Sequence, residues 1–166
     1  RLPPRADRCR TPAGRVVAVG GGVVGAGASR PGWQCFGVNV AQRARRLIPA
    51  AKMGPASIVF PDCCPALGGN QYVNSSAIGN YADYLTREII PFVDREFRTL
   101  ARREHRGCFG KSSGGYGAIV HAMKYPQYWG AIADHSGDSY FDFVYWHDCP
   151  NTLNELSKYP ADQRQA

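Results

Sequence analysis

After residue 50, short apolar runs alternate with helical patterns along the chain. Residues 56–60, with the sequence ASIVF, form an apolar run that ends at Pro61. Two further strand-like runs cover residues 106–109 and 130–135. Strands that alternate with helices are typical of βαβ units. The sequence therefore predicts an α/β fold with three layers and a mostly parallel sheet, and we expect these three strands to be parallel neighbours.

The longest helical pattern covers residues 80–99. Apolar side chains recur every four positions on one face, at Leu85, Ile89, Val93 and Phe97. Asn80 is a suitable N-cap residue, whereas Pro91 removes a backbone donor and predicts a kink beside it. A second helix is predicted at residues 113–124, and Pro126 is expected to end it.

The first 50 residues differ from the rest in charge. They contain nine arginines and one acidic residue, Asp7, whereas the remainder of the chain is nearly neutral. We predict a strand at residues 15–19 and a short helix at 42–51. The basic, Gly/Pro/Arg-rich region 1–42 is therefore expected to precede an α/β-hydrolase core at 43–166. Its arginines are scattered without interleaved aromatic residues, so a nucleic-acid partner is not expected.

Length and composition limit the classes of protein to which the chain can belong. A chain of 166 residues predicts one domain, and no apolar run has the length of a membrane span. Residues 16–28 resemble a signal peptide, but their glycines weaken the apolar segment, so the sequence favours a cytoplasmic over a secreted location only slightly. The six cysteines form no CxxC pair, and neither a metal nor a cofactor is predicted. The oligomeric state is left open.

The residues that indicate chemistry lie between the strand at 106–109 and the helix that follows. Gly110-Lys111-Ser112-Ser113-Gly114 has the pattern G-x-S-x-G in the strand-turn-helix setting of a nucleophile elbow. Glycines two residues before and after the serine, Gly110 and Gly114, allow the tight turn. Ser112 is therefore the predicted nucleophile, and the backbone N–H of Ser113 is a predicted oxyanion-hole donor.

The sequence segments around this motif resemble those of a known family. The runs IVFPDC, ADYLTREIIPFVDREFRT, GKSSGGYGA and KYPQYWGAIADHSGD are similar to the Putative esterase family of α/β hydrolases, which includes esterase D, S-formylglutathione hydrolase, feruloyl esterases and mycolyltransferases. The resemblance covers roughly residues 43–150. It implies hydrolysis or transfer of an acyl group from a small-molecule ester or thioester through a seryl acyl-enzyme at Ser112.

The rest of a catalytic triad is not evident in the chain. The fold's order is Ser, then Asp or Glu, then His, and only 31 residues follow His135. Asp138 and His147 have this order, but nine positions are too few for an intervening strand and helix. We therefore expect the core to be truncated, with the triad acid and histidine beyond Ala166. The second oxyanion donor is unassigned, because residues 1–42 do not resemble the family's oxyanion loop.

Three alternative hypotheses come from other classes. Gly20 to Gly25 matches G-x-G-x-x-G and suggests an FAD- or NAD-binding Rossmann unit at residues 16–28, but Pro31 breaks the helix this unit needs and no acid occurs from residue 8 to 61. The run ending in Ser112 resembles part of a P-loop, but His105 stands where its first glycine belongs. A non-catalytic esterase-like binding domain is the third alternative.

Overall fold

The computed structural model describes residues 14–18, 40–61 and 70–160. Its strands are, in chain order, β1 (Gly14–Ala18), β2 (Ala56–Val59), β3 (Asn74–Ser75), β4 (Gly79–Asn80), β5 (Arg106–Lys111) and β6 (Ala131–His135). Four of them form one parallel sheet in the order β2-β1-β5-β6, and β3 and β4 form a separate antiparallel pair. The sheet is parallel as predicted, while an arrangement in three layers stays a prediction.

The predicted neighbour relation between β2 and β5 is wrong. β1 lies between them, pairing Val16 with Ile58 on one side and Val17 with Cys108 on the other. Pairing between β5 and β6 is parallel and direct, as expected. A strand contributed by the basic N-terminal region thus joins the middle of the sheet. Chain order does not reveal this, because a parallel strand can be inserted from any distance along the sequence.

The predicted helix at residues 80–99 consists of three consecutive pieces. They are α2 (Tyr81–Asp83), a π-helical segment (Tyr84–Ile89) and α3 (Ile90–Glu96). The change at Ile90 is adjacent to Pro91, where the missing N–H predicted an irregularity. Before these pieces the chain forms α1 (Val40–Leu47).

The prediction that Asn80 caps this helix with its side chain is wrong. Asn80 makes no side-chain capping hydrogen bond. Instead, Asn74 Oδ1 accepts hydrogen bonds from the backbone N–H groups of Ala82 at 2.9 Å and Asp83 at 3.1 Å. The β3-β4 pair brings Asn74 beside the helix start, so a residue six positions earlier performs the capping.

The second predicted helix agrees with α4 (Ser113–Lys124), and Tyr125 and Pro126 follow it. The C-terminal part contains α5 (Phe141–Val144) and α6 (Cys149–Leu156), separated by a 3-10 turn. None of the helices in the described ranges is both long enough and apolar enough to cross a membrane.

The described core lies where α4, the π-helical segment and β5 meet. Its buried members are Tyr72, Leu85, Ile90, Cys108, Ala118 and Trp129. The Cys108 thiol is free and buried, and burial raises its pKa to about 12. Cys108 is thus an unreactive core residue at neutral pH.

One charged side chain enters this region at the start of β5. Arg106 is 6% exposed, and its guanidinium donates to the Tyr128 carbonyl at 2.9 Å and to Asp94 Oδ2 at 3.3 Å. Burial lowers the pKa of Arg106. The ion pair ties α3 to β5, the strand that leads to Ser112.

Candidate active site

Ser112 occupies a sharp turn between β5 and α4. Its backbone has φ 56° and ψ −125°, a combination that residues other than glycine rarely adopt. Two backbone hydrogen bonds hold the turn: the Ser112 N–H donates to the His135 carbonyl at 3.0 Å, and the Ser112 carbonyl accepts from Tyr116 N–H at 3.1 Å. The predicted tight turn between a strand and a helix is confirmed.

The turn places Ser112 at the carboxyl end of β5 and at the amino end of α4. Ser112 is half-buried. Ser113, the first residue of α4, is buried, and an N–H in the first turn of a helix has no intrahelical acceptor. Such N–H groups and the positive end of the helix dipole favour negative charge nearby.

Close backbone contact between α4 and the loop after β6 shapes the site. A Cβ atom on Gly115 would collide with Asp134 Oδ1 and would lie 2.8 Å from Gly137 Cα. A Cβ atom on Gly137 would lie 2.6 Å from Tyr116 N and 2.8 Å from the Gly115 carbonyl carbon. Both positions therefore require glycine. The requirement for this pair of glycines was not predicted from the sequence, although Gly115 is the second glycine of a GG dipeptide.

The loop brings the Asp138 carboxylate to the two serines. Asp138 Oδ1 accepts a hydrogen bond from Ser112 Oγ at 3.2 Å, and Oδ2 accepts one from Ser113 Oγ at 2.7 Å. The hydroxyl of Tyr145 also donates to Oδ2, at 3.2 Å. Desolvation, and after it the negative charge of Asp138, raises the pKa of Tyr145. Three hydroxyl groups thus converge on one carboxylate.

No histidine among the described residues hydrogen-bonds to the Ser112 hydroxyl, and all four histidines of the chain are described. The ring of His147 is 78% exposed and lies 3.4 Å from Asp148 Oδ1. Among the described residues, His147 hydrogen-bonds to neither Ser112 nor Asp138, so neither contact of the compact triad considered from the sequence is formed. His105 lies in a 3-10 turn before β5, and His135 contributes its backbone carbonyl.

His121 has a structural position. Its ring is fully buried in α4, and Nε2 donates to the Tyr72 carbonyl at 2.6 Å. Burial lowers the pKa of His121 and so favours the neutral ring, while the hydrogen bond to Tyr72 acts in the opposite direction. The ring also packs edge-on against Trp129.

Several sequence candidates lie outside the described residues or have no contact that assigns them a role. The glycines of the Rossmann-like motif, Gly20 to Gly25, are outside. Gly110 lies within β5, paired with Asp134, and Gly114 is buried in the first turn of α4. Their predicted role in permitting the elbow stays a prediction, as does the role of Ser113 as an oxyanion donor.

Two solved structures have folds similar to that of this chain. A ferulic acid esterase superposes with a TM-score of 0.63 at 21% identity, covering 76% of this chain and 46% of that protein. FphF of Staphylococcus aureus, a fluorophosphonate-binding serine hydrolase, superposes with a TM-score of 0.52 at 18% identity, covering 80% and 45%. The chain therefore shares the fold of a little under half of each of these two proteins.

The sequence of the chain also matches a known family of proteins. The Putative esterase family matches residues 56–163, well over half of the chain, so the chain belongs to this family. Esterase Rv1288 and Esterase MT1326 of Mycobacterium tuberculosis are each 32% identical over 113 residues, covering 61% of this chain. The chain spans about a quarter of the length of these curated relatives.

Proposed function

We propose that this chain carries the nucleophile of a serine hydrolase that cleaves carboxylic esters or thioesters, or transfers their acyl group, through a covalent intermediate on Ser112. The observation that supports this most directly is the backbone of Ser112, strained at φ 56° between β5 and α4. Strain of this kind is retained where it positions a functional side chain. Membership of an esterase family supports the same reaction class.

The proposed reaction has two steps. Ser112 Oγ attacks the acyl carbon while a base takes its proton, and the alcohol or thiol leaves with a proton from that base. Water then attacks the acyl-enzyme and releases the carboxylic acid, or a second alcohol attacks and accepts the acyl group. The N–H of Ser113 stabilises the oxyanion in both steps, and losing one such donor typically costs on the order of 100-fold in rate.

The general base is the component that the described residues do not bring to Ser112. Among these residues, the only carboxylate hydrogen-bonded to the Ser112 hydroxyl is that of Asp138, and no histidine ring hydrogen-bonds to this hydroxyl. We expect the triad histidine and acid of the full enzyme to lie outside these 166 residues. The substrate of the whole protein is proposed only as a small ester or thioester.

A fluorophosphonate probe tests the nucleophile, because it phosphonylates a serine hydroxyl that lies beside an oxyanion-hole donor, slowly without a base and rapidly with one. Chain 1–166 is incubated with the probe, and the modified peptide is identified by mass spectrometry. We expect slow modification at Ser112, because the elbow and the Ser113 N–H are present while the general base lies outside these residues, and none there in Ser112→Ala. The matched control Ser157→Ala, which removes an exposed serine in the C-terminal part, should leave the labelling unchanged.

A non-catalytic binding domain is the second candidate, favoured by the absence of a histidine contact at Ser112 among the described residues. Saturable binding of a p-nitrophenyl ester, with neither release of p-nitrophenol nor phosphonylation of Ser112, would support it against the hydrolase.

A further inference from the structure

The loop after β6 ends at a carboxylate that contacts the proposed nucleophile directly. Asp138 Oδ1 accepts from Ser112 Oγ at 3.2 Å, while Oδ2 accepts from Ser113 Oγ at 2.7 Å and from the Tyr145 hydroxyl at 3.2 Å. We infer that Asp138 is a positioning residue, whose carboxylate orients the Ser112 hydroxyl and holds the loop 136–138 against the amino end of α4. This inference rests on the proposed function of Ser112.

Backbone packing supports the placement independently of the hydrogen bonds. Gly137, next to Asp138, approaches Gly115 so closely that a Cβ atom on either residue would overlap the other's backbone. The carboxylate is therefore delivered to Ser112 by a loop that is packed tightly on α4. Asp138 itself is half-buried.

The chemistry of the contacts explains what the carboxylate does. An ionised carboxylate only accepts hydrogen bonds, so each of the three hydroxyl groups must turn its hydrogen towards Asp138. Hydrogen bonds to a charged acceptor are about twice as strong as those between neutral groups. The hydroxyl of Ser112 thus has one favoured orientation before a substrate binds, and its lone pairs are directed away from Asp138.

The first experiment measures the charge at this position without requiring catalysis. Ser112→Cys places a thiol at the position of the hydroxyl, and the pH dependence of its alkylation by iodoacetamide, followed on the peptide containing position 112, reports the thiol pKa. A carboxylate at this distance disfavours the thiolate. Adding Asp138→Asn should therefore lower this thiol pKa by about one unit or more, which corresponds to about tenfold faster alkylation below the pKa.

A matched control separates proximity from net charge. Asp142→Asn removes the same charge four residues further along, from an exposed side chain. In the Ser112→Cys background it should leave the thiol pKa unchanged. The inference would be overturned if the thiol pKa of Ser112→Cys were the same alone, with Asp138→Asn and with Asp142→Asn. The Asp138 carboxylate would then not lie close to the side chain at position 112.

The second experiment measures positioning in the proposed reaction. At saturating fluorophosphonate, Asp138→Ala should slow phosphonylation of Ser112 by about tenfold, the effect expected for losing one charge-assisted hydrogen bond, with the half-saturating probe concentration unchanged. Asp138→Asn retains an acceptor oxygen and should restore part of the rate. Thermal unfolding of each variant identifies any that has lost its fold.

The two ways of failing are distinguishable. Absence of probe on Ser112 in the unsubstituted chain contradicts the proposed function, and the thiol pKa comparison still decides the placement of Asp138. Phosphonylation of Ser112 that proceeds at the same rate in folded Asp138→Ala leaves the proposed function intact and overturns the positioning role.

Discussion

Replacing Gly137 with alanine tests the close packing that builds the site. The added Cβ would lie 2.6 Å from Tyr116 N, 2.6 Å from Asp134 Oδ1 and 2.8 Å from the Gly115 carbonyl carbon. Ordinary contact for such an atom begins at 3.4 Å, so the loop and α4 must separate by about 0.8 Å. Two of the three obstructing atoms belong to the backbone and cannot rotate away.

Overpacking of this kind typically costs about 1–3 kcal/mol. We expect Gly137→Ala to lower the free energy of unfolding by about 2 kcal/mol, which lowers the Tm of a chain of this size by about 4–8 °C. The same displacement should move Asp138 away from Ser112 and Ser113 and slow phosphonylation of Ser112. Urea unfolding followed by circular dichroism measures the first effect, and mass spectrometry the second.

Gly54→Ala is the matched control. A Cβ atom at Gly54 would have no neighbour within 4 Å, and glycine-to-alanine changes at unstrained positions stabilise by about 0.4–1 kcal/mol through the unfolded chain. The control should therefore be as stable as the unsubstituted chain or slightly more so. An unfolding midpoint of Gly137→Ala equal to that of Gly54→Ala would refute the packing argument.

Three further predictions concern pH, the buried ion pair and turnover. Burial lowers the pKa of His121, so the unfolded chain binds a proton more readily than the folded chain does. The stability that neutral His121 contributes should be fully present above about pH 6.5 and should decrease as the pH falls below that value. His121→Gln, which keeps a donor for Tyr72, should reduce this decrease in urea titrations at pH 7 and pH 5. Asp94→Ala leaves the Arg106 guanidinium buried without its carboxylate and should cost about 3 kcal/mol of unfolding free energy, whereas no measurable loss would show that the pair is unimportant. Chain 1–166 should hydrolyse a p-nitrophenyl ester only about 1,000 to 10,000-fold faster than water does, and full turnover abolished by both Ser112→Ala and His147→Ala would instead establish the compact triad.

Local sequence determined the centre of the candidate site. The turn at Ser112 and the bounds of α4 agree with expectation, because a strand, a glycine-rich turn and a helix start are specified by residues a few positions apart. The irregular helix at Pro91 was predictable for the same reason: the missing N–H belongs to that residue alone. Family membership followed from the same segments, which carry the matching text.

Tertiary structure decided every feature that joins distant segments. β1 entered the sheet between β2 and β5, although neither its composition nor its place in the chain indicated its neighbours. Asn74 replaced Asn80 as the helix cap, because the β3-β4 turn brings it close to the helix start. Asp138 lies 26 residues after Ser112 and accepts its hydrogen bond, because parallel pairing of β5 with β6 places the loops at their carboxyl ends side by side. Hydrogen bonding and steric fit between such segments depend on register and distance in space, which the order of residues along the chain does not specify.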